Sequence, residues 1–327
     1  MPAPRRRTLA AWVAMAVVLA APAASVLAGE SGEPAATELD AVLVVAQRAS
    51  RASTGATNLD LEIRETPQSI SVVTAEQMHL FGADSVNEAL RLATGVQVDE
   101  WETNRTSYSS RGFDILNTQI DGVGMPNSWG IATGAFDTAG YEKVEVIRGA
   151  NGLLTGVGNA AGTINYVRKR PTNARQGNVG ISRGTWDTTR VELDYSTPFT
   201  ADATWAGRVV AAHEDGDSWL RANSNQRDFV YGVVDGQVGA NGTLALGWSY
   251  QRAKSDGIMW GALLFANNDG TQAQWPTSAT TTQDWTWWNT TNHTAFVEYT
   301  HRLGDAWQLK AAYNYRRATG DDRMFYA

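Results

Sequence analysis

The sequence predicts a membrane β-barrel preceded by a smaller α+β domain. Three observations predict it. The chain opens with an export signal. No later run approaches the ~18 consecutive apolar residues that a membrane-crossing helix needs. The second half alternates apolar and polar residues in segments that end in aromatics, as strands with one face in lipid do. At 327 residues the length allows roughly one to three domains. A net charge of −7 argues against a nucleic-acid partner, which would need a basic face. There is no cysteine, hence no disulfide framework and no thiolate metal site. The 13 tryptophans suit the interfacial girdle of a barrel. Core or sugar-binding tryptophans of a soluble β protein would give the same count.

Residues 1–28 read as a Sec-type signal peptide. Arg5, Arg6 and Arg7 form the positive region, Leu9 to Leu19 the apolar one, and Val26-Leu27-Ala28 the small-residue cleavage site. In residues 29–63 a polar linker leads to ELDAVLVVAQR and then to a tether rich in Ala, Ser, Thr and Gly. Leu39, Asp40, Ala41, Val42, Leu43, Val44 and Val45 form a β-branched, extended run with a free edge, suited to strand addition onto another protein. It could equally be the first strand of an ordinary domain.

Residues 64–171 alternate polar turns with short strand-like runs. A proline turn leads into Ser69-Ile70-Ser71-Val72-Val73. Thr74 with Gln77 forms a capping box for a short helix. Asp84 or Ser85 caps a second helix with an apolar face of Val86, Ala89, Leu90 and Leu92, ended by Gly95. Val96-Gln97-Val98 is a strand. Trp101 to Tyr108 is a polar loop. Arg111-Gly112-Phe113 and Gln119 to Val123 follow, then a loop containing Trp129, then an alternating strand Tyr141 to Arg148. The glycines 149, 152, 156, 158 and 162 lack the Gly-Lys-Ser/Thr of a phosphate loop. Tight turns and close backbone approach explain them better.

In residues 172–327 the alternation is regular. Val191-Glu192-Leu193-Asp194-Tyr195, Leu244 to Tyr250 and Trp307 to Tyr315 each put large apolar residues on one face. About seven strands are expected, near 177–185, 188–197, 204–214, 227–239, 242–254, 292–303 and 306–318. The 255–291 loop carries Trp260, Trp275, Trp285, Trp287 and Trp288.

The order of signal, short strand-like motif, RETPQSISVV, RGF, QIDGV, VEVIRGANGLLTGVGNAAGTIN and alternating strands resembles a TonB-dependent outer-membrane siderophore receptor. The subgroup is the ferric-coprogen and ferripyoverdine type. The resemblance implies a membrane β-barrel with an α+β plug domain, the plug spanning 64–171 and an incomplete barrel spanning 172–327. Such barrels have about 22 strands. Seven cannot close one, so the chain is expected to be an N-terminal fragment. Leu39 to Val45 would be the TonB box, offered to the TonB–ExbB–ExbD energy-coupling complex. Arg111, Gly112, Phe113, Arg148 and Gly149 would be plug-motif residues, with RGF in a strand. There is no room for an extra signalling domain before the plug.

The resemblance also implies a ferric siderophore as ligand, its iron already saturated by the chelator's own oxygens, in the outer membrane of a Gram-negative bacterium. No cofactor, resident metal or catalytic group is expected. The four histidines show no metal-ligand spacing. Recognition of a chelate calls for an aromatic cup with a few polar anchors. Trp101, Arg105, Tyr108 and Trp129 are its candidates on the plug side, Trp260 and Trp285 on the barrel side. Arg105 lies where relatives place a ligand-contacting arginine, though pairing with Glu100 or Glu102 would also explain it. Trp287 and Trp288 read as packing or interface residues. MWGALLFANNDG and TTTQDWTWWNTTN resemble segments of hydroxamate-siderophore receptors; Ala262-Leu263 departs from the Gly-Leu-Pro usual there. Another chelate (catecholate, cobalamin or haem), a passive porin-like channel and a secreted carbohydrate-binding protein are the competing readings.

Overall fold

A computed structural model describes residues 52–59, 61–155, 160–304 and 306–326. The signal peptide, Leu39 to Val45, Gly156 and Gly158 lie outside the described residues.

The N-terminal domain is built on a five-stranded sheet. Its strands run in the order Ser69–Thr74, Tyr141–Arg148, Gly162–Arg168, Asn117–Ile120, Val123–Gly124. Tyr141–Arg148 is a central strand, so it is buried on both faces. Val144, Glu145, Val146 and Ile147 are all fully inaccessible. The buried Glu145 is tolerated because it meets Lys143 at 2.9 Å and accepts hydrogen bonds from Ser53 at 2.8 Å and Asn165 at 2.9 Å. Gly162 crosses close behind this strand. A Cβ there would stand 2.5 Å from the Ile147 carbonyl oxygen. Two short helices cover the sheet. Thr74 and Gln77 cap Ala75–Leu80, and Ser85 with Glu88 caps Val86–Leu92, each as a complete capping box. Met78, Val86 and Leu90 bury against Val73, Val144 and Ile164.

Two local expectations are corrected. Gly95 does not end the second helix directly: Ala93 is the cap, in extended conformation, and Gly95 (φ +73°) closes the turn beyond it. The RGF run is not one continuous strand. Arg111 (φ +56°) and Gly112 (φ +81°) form a turn between Arg105–Ser110 and Phe113–Asp114, with Ser110 paired to Phe113. Two successive positive φ values make a hairpin turn of type I′, whose twist matches its strands. Asp121 (φ +51°) and Gly122 (φ +80°) repeat the device between Asn117–Ile120 and Val123–Gly124.

The C-terminal half is a seven-stranded antiparallel meander: Gln176–Arg183, Thr189–Pro198, Trp205–Asp217, Ser224–Val238, Gly242–Asp256, Trp287–Leu303 and Trp307–Arg323. Among the described residues its first and last strands do not pair with each other. Several strands are longer than the sequence suggests. Trp287 and Trp288 belong to a strand, not to the preceding loop.

The pleat divides the sheet into two chemistries. Val191, Leu193, Tyr195, Val209, Leu246, Trp248, Leu309, Tyr313 and Tyr315 stand exposed on one face. The other face meets the N-terminal domain. Arg190 and Arg227 converge on Asp137, at 2.8 Å each, and Glu214 bridges both arginines. Arg208 and Lys169 share Asp194 at 2.7 and 2.9 Å. Gln251 donates to the Ala135 carbonyl at 2.8 Å and accepts from the Asp137 amide at 2.9 Å. Arg168 donates to Asn314 at 2.9 Å. Because strands from Thr189–Pro198 to Trp307–Arg323 all reach the domain, the sheet must curve around it. Ala139 also packs into the apolar cluster of Val210, Phe229, Tyr231 and Phe296 on the inner face.

Candidate ligand-binding site

The seam between domain and sheet carries a cation among tryptophans. The strand Arg105–Ser110 buries alternate residues: Thr106, Tyr108 and Ser110 point into the domain. Arg105 and Ser107 therefore face the other way. The loop before the strand is stitched to the sheet. The Thr103 hydroxyl accepts from the Met259 amide at 3.1 Å, and Asn104 donates to the Trp288 carbonyl at 3.0 Å. These two contacts hold the segments carrying Trp260 and Trp288 beside Arg105. Its guanidinium carbon lies 5.0 Å from the ring centre of Trp101, 6.0 Å from Trp260 and 5.9 Å from Trp288. Trp101 is held by a 2.9 Å hydrogen bond from its indole N–H to Ser107.

Arg105 is also paired. Its Nε donates to Glu102 Oε1 at 2.7 Å, with Nη2 on the same oxygen. The Glu102 side chain is only 2% exposed. Of the sequence alternatives, Glu102 rather than Glu100 takes the arginine; Glu100 pairs with Arg91 at 2.9 Å. The pair is locally neutral, so Arg105 offers directional N–H donors and a flat cation on aromatic faces.

The other sequence candidates are placed differently. Tyr108 is 1% exposed and donates to Asn87 at 2.7 Å. Its parity is opposite to that of Arg105, so it is a core residue of the domain and not part of the cup. Burial also pushes its phenol pKa up. Trp285 packs edge-on to Phe325 and under the Arg323 guanidinium. Trp129 stands 91% exposed on a turn with φ +58°. Trp288 joins Trp101, Arg105 and Trp260 instead. The signal that could have found it is period two: Trp288, Thr290, Asn292, Thr294 and Phe296 alternate inward along one strand.

Beside Trp288 lies a recess of about 560 Å3, lined by Asn127, Phe136, Asn292 and Arg316 among others. A larger one of about 720 Å3 opens at the opposite end of the sheet, near Arg170, Asp235, Glu298 and Arg302. It has no tryptophan, and Arg170 there already faces Glu298 at 3.4 Å. The cation among aromatic faces is at the tryptophan end.

With this geometry in hand, comparison with known proteins is decisive for the N-terminal domain. Residues 62–163 match the TonB-dependent receptor plug domain. This domain is a TonB-dependent receptor plug. The sheet around it is a partial barrel of the kind found in such receptors. The chain is homologous to the ferripyoverdine receptor of Pseudomonas aeruginosa, 34% identical over 265 residues, covering 80% of this chain and 32% of that protein. A crystal structure of the P. aeruginosa outer-membrane ferripyoverdine receptor with ferripyoverdine bound superposes with a TM-score of 0.77 at 34% identity, covering 81% of this chain and 36% of that one. The alcaligin outer-membrane receptor of Bordetella pertussis gives a TM-score of 0.68 at 34% identity, with 83% of this chain and 42% of that one covered. Both proteins are receptors, not enzymes. The chain spans about a third of the length of the curated relatives it matches. It contains the plug and seven wall strands, against about 22 in a complete plugged barrel.

Proposed function

We propose that the chain is the plug-bearing part of an energy-coupled outer-membrane receptor for a ferric siderophore of hydroxamate type. The observation that carries this reading is Arg105 held among Trp101, Trp260 and Trp288 at the plug–wall seam. A ferric siderophore presents a compact chelate with oxygen acceptors and apolar edges. Indole faces cover the edges, and the N–H groups that Glu102 leaves free donate to the oxygens. The apolar outer face of the wall suits lipid, and the pattern of residues 1–28 suits export. The homology supports iron-chelate import in general. The hydroxamate class rests on the MWGALLFANNDG and TTTQDWTWWNTTN segments. The plug obstructs a passive porin-like channel, and the apolar outer face disfavours a secreted sugar binder.

Binding and transport separate in this scheme. The cup is built from Trp101, Arg105, Trp260 and Trp288, and the separate segment Leu39 to Val45 would serve TonB. The test is titration of the full receptor with ferripyoverdine and with ferric trihydroxamates, following tryptophan fluorescence. Arg105→Ala is expected to weaken the bound chelate roughly tenfold or more, since a hydrogen bond to a charged group contributes about 1.5–3 kcal/mol. Trp260→Ala weakens it through lost contact area. Unchanged affinity in both variants would remove the cup from this seam.

A further inference from the structure

We propose that Arg316 is the charge-selecting residue of this site and receives a carboxylate carried by the ferric chelate. The inference rests on the reading of the seam as a siderophore cup.

The argument begins with charge. Arg105, the obvious cation, is compensated by Glu102. The inward-facing arginines Arg190, Arg208 and Arg227 are each compensated by Asp137 or Asp194. Arg316 differs. It sits in the strand Trp307–Arg323 opposite Thr294. Its Nη1 donates to the Asn127 side-chain oxygen at 3.2 Å and its Nη2 to that of Asn292 at 3.3 Å. Its guanidinium lies 5.7 Å from the Phe136 ring centre. Among the described residues these partners are all neutral. Among the described residues, no aspartate or glutamate lines the recess beside Trp288, nor the smaller cavity that Arg316 also borders. The titratable groups facing Arg316 from the plug are the phenols of Tyr141 and Tyr166.

A guanidinium withdrawn from water without a counter-charge is costly. Two amide oxygens satisfy two of its five N–H donors, and the residue lines a recess of about 560 Å3. The group that fits is a carboxylate, which pairs with arginine through short, charge-assisted bonds. Trp288 walls this recess and also stacks near Arg105. A chelate lying on Trp288 therefore reaches both cations. Arg105 contributes shape and donors; Arg316 contributes net charge.

The test uses the full receptor and ferrioxamine B whose pendant amine is capped with either an acetyl or a succinyl group. The two probes share one iron core and differ in a single carboxylate. The wild type is expected to bind the succinyl form roughly tenfold more tightly. Arg316→Gln should bring the two affinities together, and Arg316→Lys should restore part of the difference. Equal affinities in the wild type would overturn the assignment, and would point to a carboxylate of the protein itself, outside the described residues, as the partner of Arg316. A preference that survives Arg316→Gln would overturn it as well. Binding of neither probe would overturn the hydroxamate reading of the cup, and this assignment with it.

Discussion

Asp137→Asn is expected to cost the plug–wall seam about 3 kcal/mol, read as a lower urea midpoint of the purified receptor at neutral pH. Asp137 is 1% exposed and meets Arg190 and Arg227 at 2.8 Å. Removing one partner of a buried ion pair costs about 3–5 kcal/mol, because the other charge stays buried. The low end applies here, since Glu214 still compensates both arginines. The same residue gives the seam a pH dependence. Burial by itself would raise the Asp137 pKa, but the charge of Arg227 and the hydrogen bonds and charge of Arg190 outweigh it and hold the carboxyl below the usual range. A depressed folded-state pKa stabilises fully above the unfolded value of about 3.9 and is lost as pH falls through the folded value. Acidification below about pH 4 should therefore weaken the wild type and remove most of its advantage over the Asn variant. A constant gap down to pH 2 would show that Asp137 does not hold the seam through its charge.

Val44→Pro is expected to reduce uptake of radiolabelled iron–siderophore by cells to background while leaving siderophore affinity nearly unchanged. The reasoning is local. A segment gripped as an added strand depends on its backbone N–H donors. Proline removes one donor and fixes φ, which strand pairing tolerates poorly. Val44 lies in a short β-branched run remote in sequence from the cup, so binding should survive. Full uptake by the variant would mean that Leu39 to Val45 is not the coupling segment. Lost affinity would mean that the stretch has a structural role instead.

The wall was the most legible part of the sequence. Seven alternating runs read from residues 172–327 correspond to seven strands, and Leu193, Leu246, Trp248 and Tyr313 face outward as period two requires. The first capping box was legible because Thr74 with Gln77 acts within one helical turn; for the second helix the sequence left Asp84 or Ser85 open, and Ser85 with Glu88 forms the box. Errors arose where a residue's role depends on parity or on distant chain. Tyr108 and Arg105 look alike as polar-loop residues, but three positions apart on a strand they face opposite ways. Arg111 at φ +56° could not be foreseen, because only Gly112 advertises a positive φ. Trp288 sits in DWTWWNTTN, where three tryptophans in four residues straddle the end of the loop and the start of the strand. Arg316 becomes notable only when its neighbours from the plug, Asn127 and Phe136, prove to be neutral. No local pattern contains that information.

The most direct test of the central claim is an anomalous difference map at the iron edge, from crystals of the full receptor grown with a ferric trihydroxamate that supports growth of cells under iron limitation. The account predicts an iron peak in the cup, with the chelate against Trp101, Trp260 and Trp288 and its oxygens facing Arg105. An iron peak at the opposite end of the wall, near Arg170 and Arg302, or on the exposed face of the sheet, would contradict it.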